Sequence, residues 1–250
     1  MGGIVSRTVD VVVEQPKSPG SPVARPDRVK REDNDTAARL LPTRPTLDKL
    51  RTAAAGCQAC DLWKSGTQTV FGEGKRSATV MFVGEQPGNS EDLEGRPFVG
   101  PAGGLLDKAL VEAGIDWTDV YVTNVVKHFK WEPRGKRRIH KKPNAAEIHA
   151  CRPWLEAEIG VIKPVAIICL GSTAAQALIG AKFKVSLQRA TFVPSPLAPL
   201  LTATVHPSSI LRAPTDQARQ TEMRQFVEDL RKIREAISRH TTARATLLPH

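Results

Sequence analysis

The chain alternates short runs of apolar residues with longer stretches in which apolar positions recur at helical spacing. Four of the short runs, mostly rich in β-branched residues, predict strands at residues 78–83, 120–126, 165–170 and 202–205. Short continuous runs of this kind are typical of parallel strands that are covered on both faces. The four runs therefore predict a buried, mainly parallel sheet.

Helical patterns lie between and after these strands. They cover residues 103–113, 144–159, 172–178 and 217–238. Gly114 directly follows the first of them, as a residue that ends a helix often does, and Leu47 and Leu50 share one face of a further short helix that runs towards Cys57. Strands that alternate with helices predict an α/β fold, with a three-layer α/β/α arrangement around a four-stranded, mainly parallel sheet.

The two ends of the chain lack this pattern. Residues 1–45 are rich in proline and polar residues and predict a disordered leader, and residues 241–250 predict a disordered tail. The folded domain is therefore expected at residues 46–240. No apolar run has the length of a transmembrane helix, and the first residues lack the apolar core of a signal peptide, so we expect a cytoplasmic, intracellular protein without a membrane partner.

Polar, chemically capable residues follow the predicted strands. Gly84-Glu85-Gln86-Pro87-Gly88 follows the first, Asn124 lies at the end of the second, Gly171-Ser172 follows the third and His206-Pro207-Ser208-Ser209 follows the fourth. In open α/β sheets the ligand site lies at the carboxyl ends of the strands. These residues are therefore expected to meet at one rim of the sheet.

Charge adds a candidate partner. The chain carries 36 Lys and Arg against 26 Asp and Glu, a formal net charge of +10. Residues 127–142 contain eight basic residues and one acid, Glu132. Such a patch fits a polyanion such as nucleic acid, or it is a solvated basic loop, and charge alone does not distinguish these two interpretations.

Four cysteines form a candidate metal site. Cys57 and Cys60 are a C-x2-C pair before the first strand, Cys151 lies in a predicted helix, and Cys169 lies near the end of the third strand. Without an export signal, metal ligation is a better expectation than disulfides. Four thiolates hold either a [4Fe–4S] cluster or a structural zinc. Cys169 alternatively serves as a small buried strand residue.

Four segments now combine with the cysteines. They are residues 83–88, Gly95-Arg96-Pro97-Phe98-Val99-Gly100, Lys136-Arg137-Arg138-Ile139-His140, and residues 206–212. Their order resembles the uracil-DNA glycosylase superfamily over about residues 55–235, and within it the iron–sulfur, family four-like group and the UdgX type. The resemblance implies a monomer that acts on uracil-containing DNA, preferably single-stranded, and a [4Fe–4S] cluster on Cys57, Cys60, Cys151 and Cys169.

The resemblance also implies a pocket for a flipped base. Phe98 would stack on the uracil, Asn124 would recognise its N3–H and O4 edge, and His206 would hydrogen-bond O2 of the leaving base. Phe98 could instead be a core residue, and Asn124 a turn or cap residue. Ser208 and Ser209 suit phosphate contacts, or lie in a solvated loop, and Ile210 or Leu211 could wedge into the base stack. The remaining predicted substrate-binding residues are Gly84, Pro87, Gly88 and Arg138.

His140 decides between two mechanisms. In the UdgX type the corresponding histidine attacks the sugar C1′ and stays bonded to the DNA, and Glu85 would accept a proton from its ring. The resemblance places Gln86 among the catalytic residues, where better-known members carry a water-activating Asp, although an amide is not a general base. His140 could instead contact phosphate. Two further hypotheses remain: a glycosylase with turnover that uses water held by Glu85, and a non-catalytic DNA-binding module.

Overall fold

The computed structural model describes residues 36–246. The described part contains seven strands, which are β1 Glu73–Gly74, β2 Val80–Gly84, β3 Val120–Asn124, β4 Trp131–Arg134, β5 Arg137–His140, β6 Ala166–Leu170 and β7 Leu200–Thr204. Its α-helices are α1 Leu47–Ala54, α2 Asn89–Glu94, α3 Pro101–Ala113, α4 Ala145–Ile162, α5 Ser172–Leu178, α6 Val185–Gln188, α7 Pro207–Leu211 and α8 Asp216–Thr246. Short 3-10 helices cover Ala37–Leu40, Asp61–Lys64 and Trp117–Asp119.

Five strands form the central sheet in the order β1-β3-β2-β6-β7. The four long strands are parallel, and the two-residue strand β1 pairs antiparallel with β3 at one edge. The chain passes from β2 to β3 on one side and then crosses to β6 on the other side of β2. The strand order therefore reverses between β2 and β6, where α/β sheets bind ligands.

Alternate residues of each strand enter two separate cores. Met81, Val83 and Ile167 face α1, α4 and α5, where Leu50 and Trp154 are fully buried. Phe82 and Ile168 face the other way, towards the apolar sides of α3 and α8. The period of two along each strand produces this division, since neighbouring side chains leave a strand on opposite faces.

The predicted three-layer α/β/α fold with a mainly parallel sheet is confirmed. The sheet has a fifth strand, β1, which the prediction of four strands lacked because two residues carry no apolar pattern. The ordered chain also extends into both stretches that were assigned to the leader and the tail. Ala37 is fully buried in a 3-10 turn that packs on α4, and α8 continues to Thr246.

The remainder of the predicted leader, residues 1–35, and residues 247–250 lie outside the described residues. In the described part, no helix combines the length and the apolar character that crossing a membrane requires.

Candidate active site

A cavity of about 690 Å³ opens at the carboxyl rim of the sheet. It lies where the loop after β2 meets the loops after β3, β6 and β7. Nine of the predicted catalytic or substrate-binding residues line it: Glu85, Gln86, Gly88, Phe98, Asn124, His140, His206, Ser208 and Ser209. Three predicted substrate-binding residues do not line it: Gly84, Pro87 and Arg138. The fold therefore brings together segments that lie up to about half the chain apart.

Glu85 and His140 form the central pair of this cavity. Oε1 of Glu85 lies 3.4 Å from Nε2 of His140, whose side chain is 50% exposed. The other carboxylate oxygen, Oε2, accepts a hydrogen bond from the hydroxyl of Thr173 at the start of α5. Thr173 reaches across from β6 to β2 and so orients the carboxylate towards the imidazole. Nδ1 of His140 has no hydrogen-bond partner among the described residues and can act as a nucleophile or base.

The hairpin formed by β4 and β5 carries His140. The Gln86 side chain hydrogen-bonds the backbone where this hairpin begins and ends. Nε2 of Gln86 donates to the carbonyls of Lys130 and Lys141, each at 3.1 Å, and its Oε1 accepts from the Lys130 amide at 3.2 Å. These residues directly flank the two strands. The amide of Gln86 is therefore engaged by backbone, which gives it a positioning role at the hairpin rather than the catalytic role that its place in the sequence suggested.

Arg138 is a second anchor of the hairpin. Its Nη1 donates to Oδ2 of the buried Asp92 at 2.6 Å and its Nε donates to Oδ1 of Asn89 at 2.7 Å. Its guanidinium also lies 5.4 Å and 5.5 Å from the ring centroids of Phe129 and Trp131. Arg138 thus ties the hairpin to α2, and Asp92 pairs with its charge.

His206 is held as a neutral hydrogen-bond donor. The Ser208 amide donates to Nδ1 of His206 at 3.1 Å, and the Ser208 hydroxyl lies 2.8 Å from the same atom. Because Nδ1 accepts, the single ring proton of the neutral form is on Nε2. Burial, together with the positive charge of Arg212, lowers the pKa of His206 to about 4. The rings of His206 and Phe98 are stacked with their centroids 6.3 Å apart, and both residues line the cavity.

We expect the imidazole of His206 to remain neutral from pH 7 down to about pH 5 in a histidine NMR titration, because its pKa is lowered to about 4. Since the folded state resists protonation, its contribution to stability is present above about pH 6.5 and is lost as pH falls towards 4. Arg212→Ala should raise the pKa of His206, because one positive charge is removed. Titration of His206 near its ordinary value in the folded protein would contradict this assignment.

The side wall of the cavity depends on close backbone approaches. A Cβ on Gly84 would collide with Oδ1 of Asn124, so only glycine lets the amide of Asn124 lie across the end of β2. Phe98 has a φ of 56°, which is costly for an aromatic residue, and it both lines the cavity and packs on the core. Glu91 accepts hydrogen bonds from the Gly88 and Gly100 amides at 3.1 Å and 2.8 Å and so joins the two loops.

Helix α7 carries both candidates for an apolar wedge, Ile210 and Leu211, but buries only one of them. Ile210 is fully buried in the core, whereas Leu211 is 37% exposed. Ser208 and Ser209 line the cavity beside them, together with Arg212. Leu211 is therefore the side chain of this pair that is free to contact another molecule.

About half of the predicted basic patch is neutralised within the protein. Lys127, Lys130, Arg138 and Lys141 pair with Glu158, Glu147, Asp92 and Glu132, respectively. Arg134, Lys136, Arg137 and Lys142 have no ion-pair partner in residues 36–246, and all four are exposed. In the hairpin register Arg134 lies directly opposite Arg137, a like-charge pair that is unfavourable until an anion joins it.

Three of the four cysteines, Cys57, Cys60 and Cys151, lie near enough to one another for their charges to interact. Burial, opposed in part by Lys127 and reinforced by Cys60 and Cys57, raises the pKa of the Cys151 thiol to about 12. The Trp154 indole N–H donates to Sγ of Cys57 at 3.3 Å, and the Lys127 amide donates to Sγ of Cys151 at 3.2 Å. Amide and indole donors of this kind stabilise anionic sulfur and suit metal-bound thiolates.

Cys169 stands apart from this group. It is fully buried in β6, and burial alone raises the pKa of its thiol. It faces the same core layer as Cys57 and Cys151. Within the residues that the structure describes, no three His, Cys, Asp or Glu side chains converge closely enough to hold a metal ion.

Sequence reasoning missed several residues of the cavity. Glu91, Thr173, Val185 and Ser186 all line it. Thr173 follows the end of β6 and could have been found by the strand-end rule that identified Gly171 and Ser172. Glu91, at the third position of α2, and the residues of α6 carry no comparable signal, because their place depends on how two loops pack.

Comparison with known proteins gives the family. The model of the uracil DNA glycosylase superfamily matches residues 71–231. The chain is 46% identical over 133 residues to a type-4 uracil-DNA glycosylase of Pyrobaculum aerophilum, which covers 53% of this chain and 64% of that protein. It is 43% identical over 127 residues to a type-4 uracil-DNA glycosylase of Sulfurisphaera tokodaii, covering 50% of this chain and 54% of the relative.

A third relative is matched over more of its length. The type-4 uracil-DNA glycosylase of Thermotoga maritima is 39% identical over 186 residues, which cover 73% of this chain and 90% of that protein. The chain spans less than two thirds of the length of the first two relatives. Because the family model covers more than half of the sequence and includes every strand from β1 to β7, the chain belongs to the uracil DNA glycosylase superfamily.

Proposed function

We propose that this protein removes uracil from DNA and stays joined to the sugar through His140. The proposal rests on the short distance of 3.4 Å between His140 Nε2 and Glu85 Oε1. Both residues line the same cavity as Asn124, Phe98 and His206. The names of the relatives support the excision of uracil. The covalent step rests on His140 and on the UdgX-like segment that carries it.

The cavity residues suit a flipped uracil. A base in a duplex is not accessible to an enzyme until it leaves the stack. Phe98 offers an aromatic face, and the amide of Asn124 offers one acceptor for N3–H and donors for O4. Nε2–H of His206 is the donor for O2. The exposed Leu211 would fill the space that the base leaves, with Ser208 and Ser209 at the neighbouring phosphates.

The reaction then proceeds by exchange of one bond at C1′. The bond between C1′ and N1 of uracil breaks, and its electron pair leaves on the base, where His206 Nε2–H stabilises the negative charge at O2. The lone pair of the His140 ring nitrogen that does not face Glu85, Nδ1, forms the new bond to C1′. Glu85 stabilises the imidazolium and accepts its Nε2 proton, and the departing uracil anion takes up one proton from water.

Ordinary turnover is the second candidate function. The relatives named above are type-4 uracil-DNA glycosylases, and Glu85 could hold a water for attack on C1′. We favour capture by His140 because Gln86, bonded to the hairpin backbone, leaves no second carboxylate at this point of the loop after β2. A non-catalytic DNA-binding module would have no use for the Glu85–His140 pair.

The tip of the hairpin is the expected contact for the DNA backbone. Arg134 and Arg137 lie opposite each other, are exposed and have no acidic partner in the described part of the chain. Phosphate groups would relieve their mutual repulsion. We therefore assign backbone contact to these two residues rather than to Arg138, which Asp92 neutralises.

Replacing both arginines, Arg134→Ala and Arg137→Ala, should weaken binding to uracil-free DNA and reduce the slope of log K against log salt by about 2. Arg231→Ala with Arg239→Ala controls for the loss of two exposed positive charges away from the rim, since both arginines lie on α8, where Arg231 also contacts the end of α3 and each pairs with a glutamate of the helix. Fluorescence anisotropy at several salt concentrations measures both pairs. Equal slopes for the two variants would exclude the hairpin tip as the contact.

We further propose a [4Fe–4S] cluster held by Cys57, Cys60 and Cys151, with Cys169 as the fourth predicted ligand. The buried thiols and the N–H groups that donate to two of them support it. Such a group would supply no chemistry at C1′. It would tie the segment after α1 to α4 and, through Cys169, to β6, which is a structural role.

Protein purified without oxygen should be brown and contain iron and acid-labile sulfide in equal amounts. Cys151→Ser should lose the colour and lower the melting temperature, because a buried ligand is removed. Cys169→Ala tests the fourth position: retention of the cluster would show that this cysteine is a core residue only. A colourless protein with one bound zinc would contradict the iron–sulfur assignment.

The activity is tested by mixing the protein with a uracil-containing oligonucleotide, either single-stranded or paired with its complement. We expect a band that survives boiling in detergent, and faster capture of the single strand, because no base pair has to open. Strand cleavage after alkali without such a band would indicate turnover. Absence of both the band and the cleavage would leave only a DNA-binding function. Separately, we expect the protein to be a monomer that acts on intracellular DNA.

A further inference from the structure

Lys127 and Glu158 form a buried ion pair next to the end of β3, the strand that carries Asn124. The side chains of Lys127 and Glu158 are 1% and 0% exposed, and Nζ lies 2.5 Å from Oε2. Neither residue lines the cavity. Because removing two charges from water often costs more than their attraction returns, a pair of this kind is weak evidence for added stability. Its contacts indicate a different purpose.

Lys127 holds the end of β3 from a buried position outside the cavity. Its ammonium donates to the backbone carbonyl of Asn124 at 2.8 Å and to the Thr123 hydroxyl at 2.6 Å. The side chain of the same Asn124 lines the cavity and is only 3% exposed. The backbone of the proposed base-reading residue is thus bonded to a fully buried cation.

Helix α4 in turn holds Lys127 at two points. Glu158 binds its ammonium, and Glu158 itself accepts hydrogen bonds from the Tyr121 hydroxyl at 2.8 Å and the Gly72 amide at 3.1 Å. Two helical turns earlier on α4, Sγ of Cys151 accepts the Lys127 amide at 3.2 Å. The segment from Thr123 to Lys127 is therefore fastened to α4 through both the side chain and the backbone of Lys127.

We propose that Lys127 and Glu158 are positioning residues that hold the amide of Asn124 at the N3–H and O4 edge of uracil. The proposal rests on the function proposed above. Hydrogen bonds weaken steeply when their distance and angle change, so a small displacement of the Asn124 backbone reduces recognition of the base. The pair would thus determine which base is accepted, without touching it.

The test compares two substrates and two variants. Lys127→Met with Glu158→Gln removes both charges together, and the Gln oxygen still accepts from Gly72 and Tyr121. Tyr121→Phe is the matched control, since it breaks the 2.8 Å bond to Glu158 but leaves Lys127 on Asn124. The substrates are single-stranded oligonucleotides with uracil or with 3-methyluracil, which lacks the N3–H that Asn124 would bind.

We expect the wild-type preference for uracil over 3-methyluracil to fall about tenfold in the double variant, the equivalent of one lost hydrogen bond. Tyr121→Phe should keep the wild-type preference. An unchanged preference in a folded double variant would overturn the positioning role. A wild-type protein that does not act on uracil-DNA would refute the proposed function instead, so the two failures are distinguishable.

Melting curves establish whether the variants are folded. If the double variant does not fold, Thr123→Val provides a milder change, because it removes the hydroxyl that lies between Lys127 and Glu158 while preserving shape. This variant should lower the preference about threefold, since one of several restraints on Lys127 is lost. A preference equal to that of the wild type would again overturn the proposal.

Discussion

His140→Ala should abolish the denaturant-resistant complex with uracil-DNA, because it removes the ring nitrogen that would bond to C1′. Glu85 would remain in place through its bond to Thr173, so water admitted to the vacated space should release uracil slowly. In His140→Ala we expect complete loss of the covalent complex but only a small loss of non-covalent binding to uracil-DNA. A denaturing gel for the complex and an alkali-cleavage assay for released base measure the two effects separately.

His149→Ala is the matched control, since His149 is an exposed histidine on α4. This variant should form the complex at the wild-type rate. If His140→Ala still formed a complex that survives denaturation, another residue would be the nucleophile. If His140→Ala lost uracil-DNA binding altogether, His140 would be a phosphate contact, which was the alternative interpretation of its basic neighbours.

His206→Ala should slow the loss of uracil by about 10²–10³-fold, as removal of one oxyanion-stabilising donor does in other enzymes. The effect is expected to be on the first-order rate at saturating DNA, because the negative charge on O2 develops only as the bond breaks. Rapid-quench single-turnover measurements at neutral pH, where His206 is neutral, give this rate directly.

His206→Asn serves as the conservative variant. Its amide N–H can still donate, so we expect it to recover part of the rate without restoring the stacking on Phe98. A rate for His206→Ala within about threefold of wild type would contradict the role of leaving-group donor, since that corresponds to less than one hydrogen bond.

The buried sheet could be predicted because its signal is local. Residues 166–170 and 120–122 are continuous apolar runs, and the strands that contain them are fully buried. The rim followed from the same pattern, since Glu85, Asn124 and His206 each lie close to the carboxyl end of such a run. These parts of the molecule depend on periodicity and on the parallel sheet, which a single sequence reveals.

The hairpin could not be predicted from the same signal. Its strands are polar and mostly exposed, so they carry no alternation of apolar residues. Only Gly135 indicates a turn in the sequence, and in the structure this residue has a φ of 60°. Gln86 and Arg138 hold it in place through contacts with chain segments more than 40 residues away. Long-range packing also determines that the Ile210 side chain is buried and the Leu211 side chain is exposed.

The cysteines show the same limit. The C-x2-C pair is visible in the sequence, but the distance of Cys169 from it depends on the sheet. The charge of the basic stretch was misleading in part, because Lys127 is buried on Glu158 and Lys130 pairs with Glu147. Net charge counts the side chains of a segment and does not distinguish those that face inward.

The most direct test of the central claim is mass spectrometry of the wild-type protein after reaction with a uracil-containing single strand. We expect a species whose mass equals protein plus DNA minus free uracil, and peptide mapping should place the deoxyribose on His140. Unmodified protein together with free uracil and an abasic strand would contradict covalent capture and establish turnover with water at Glu85.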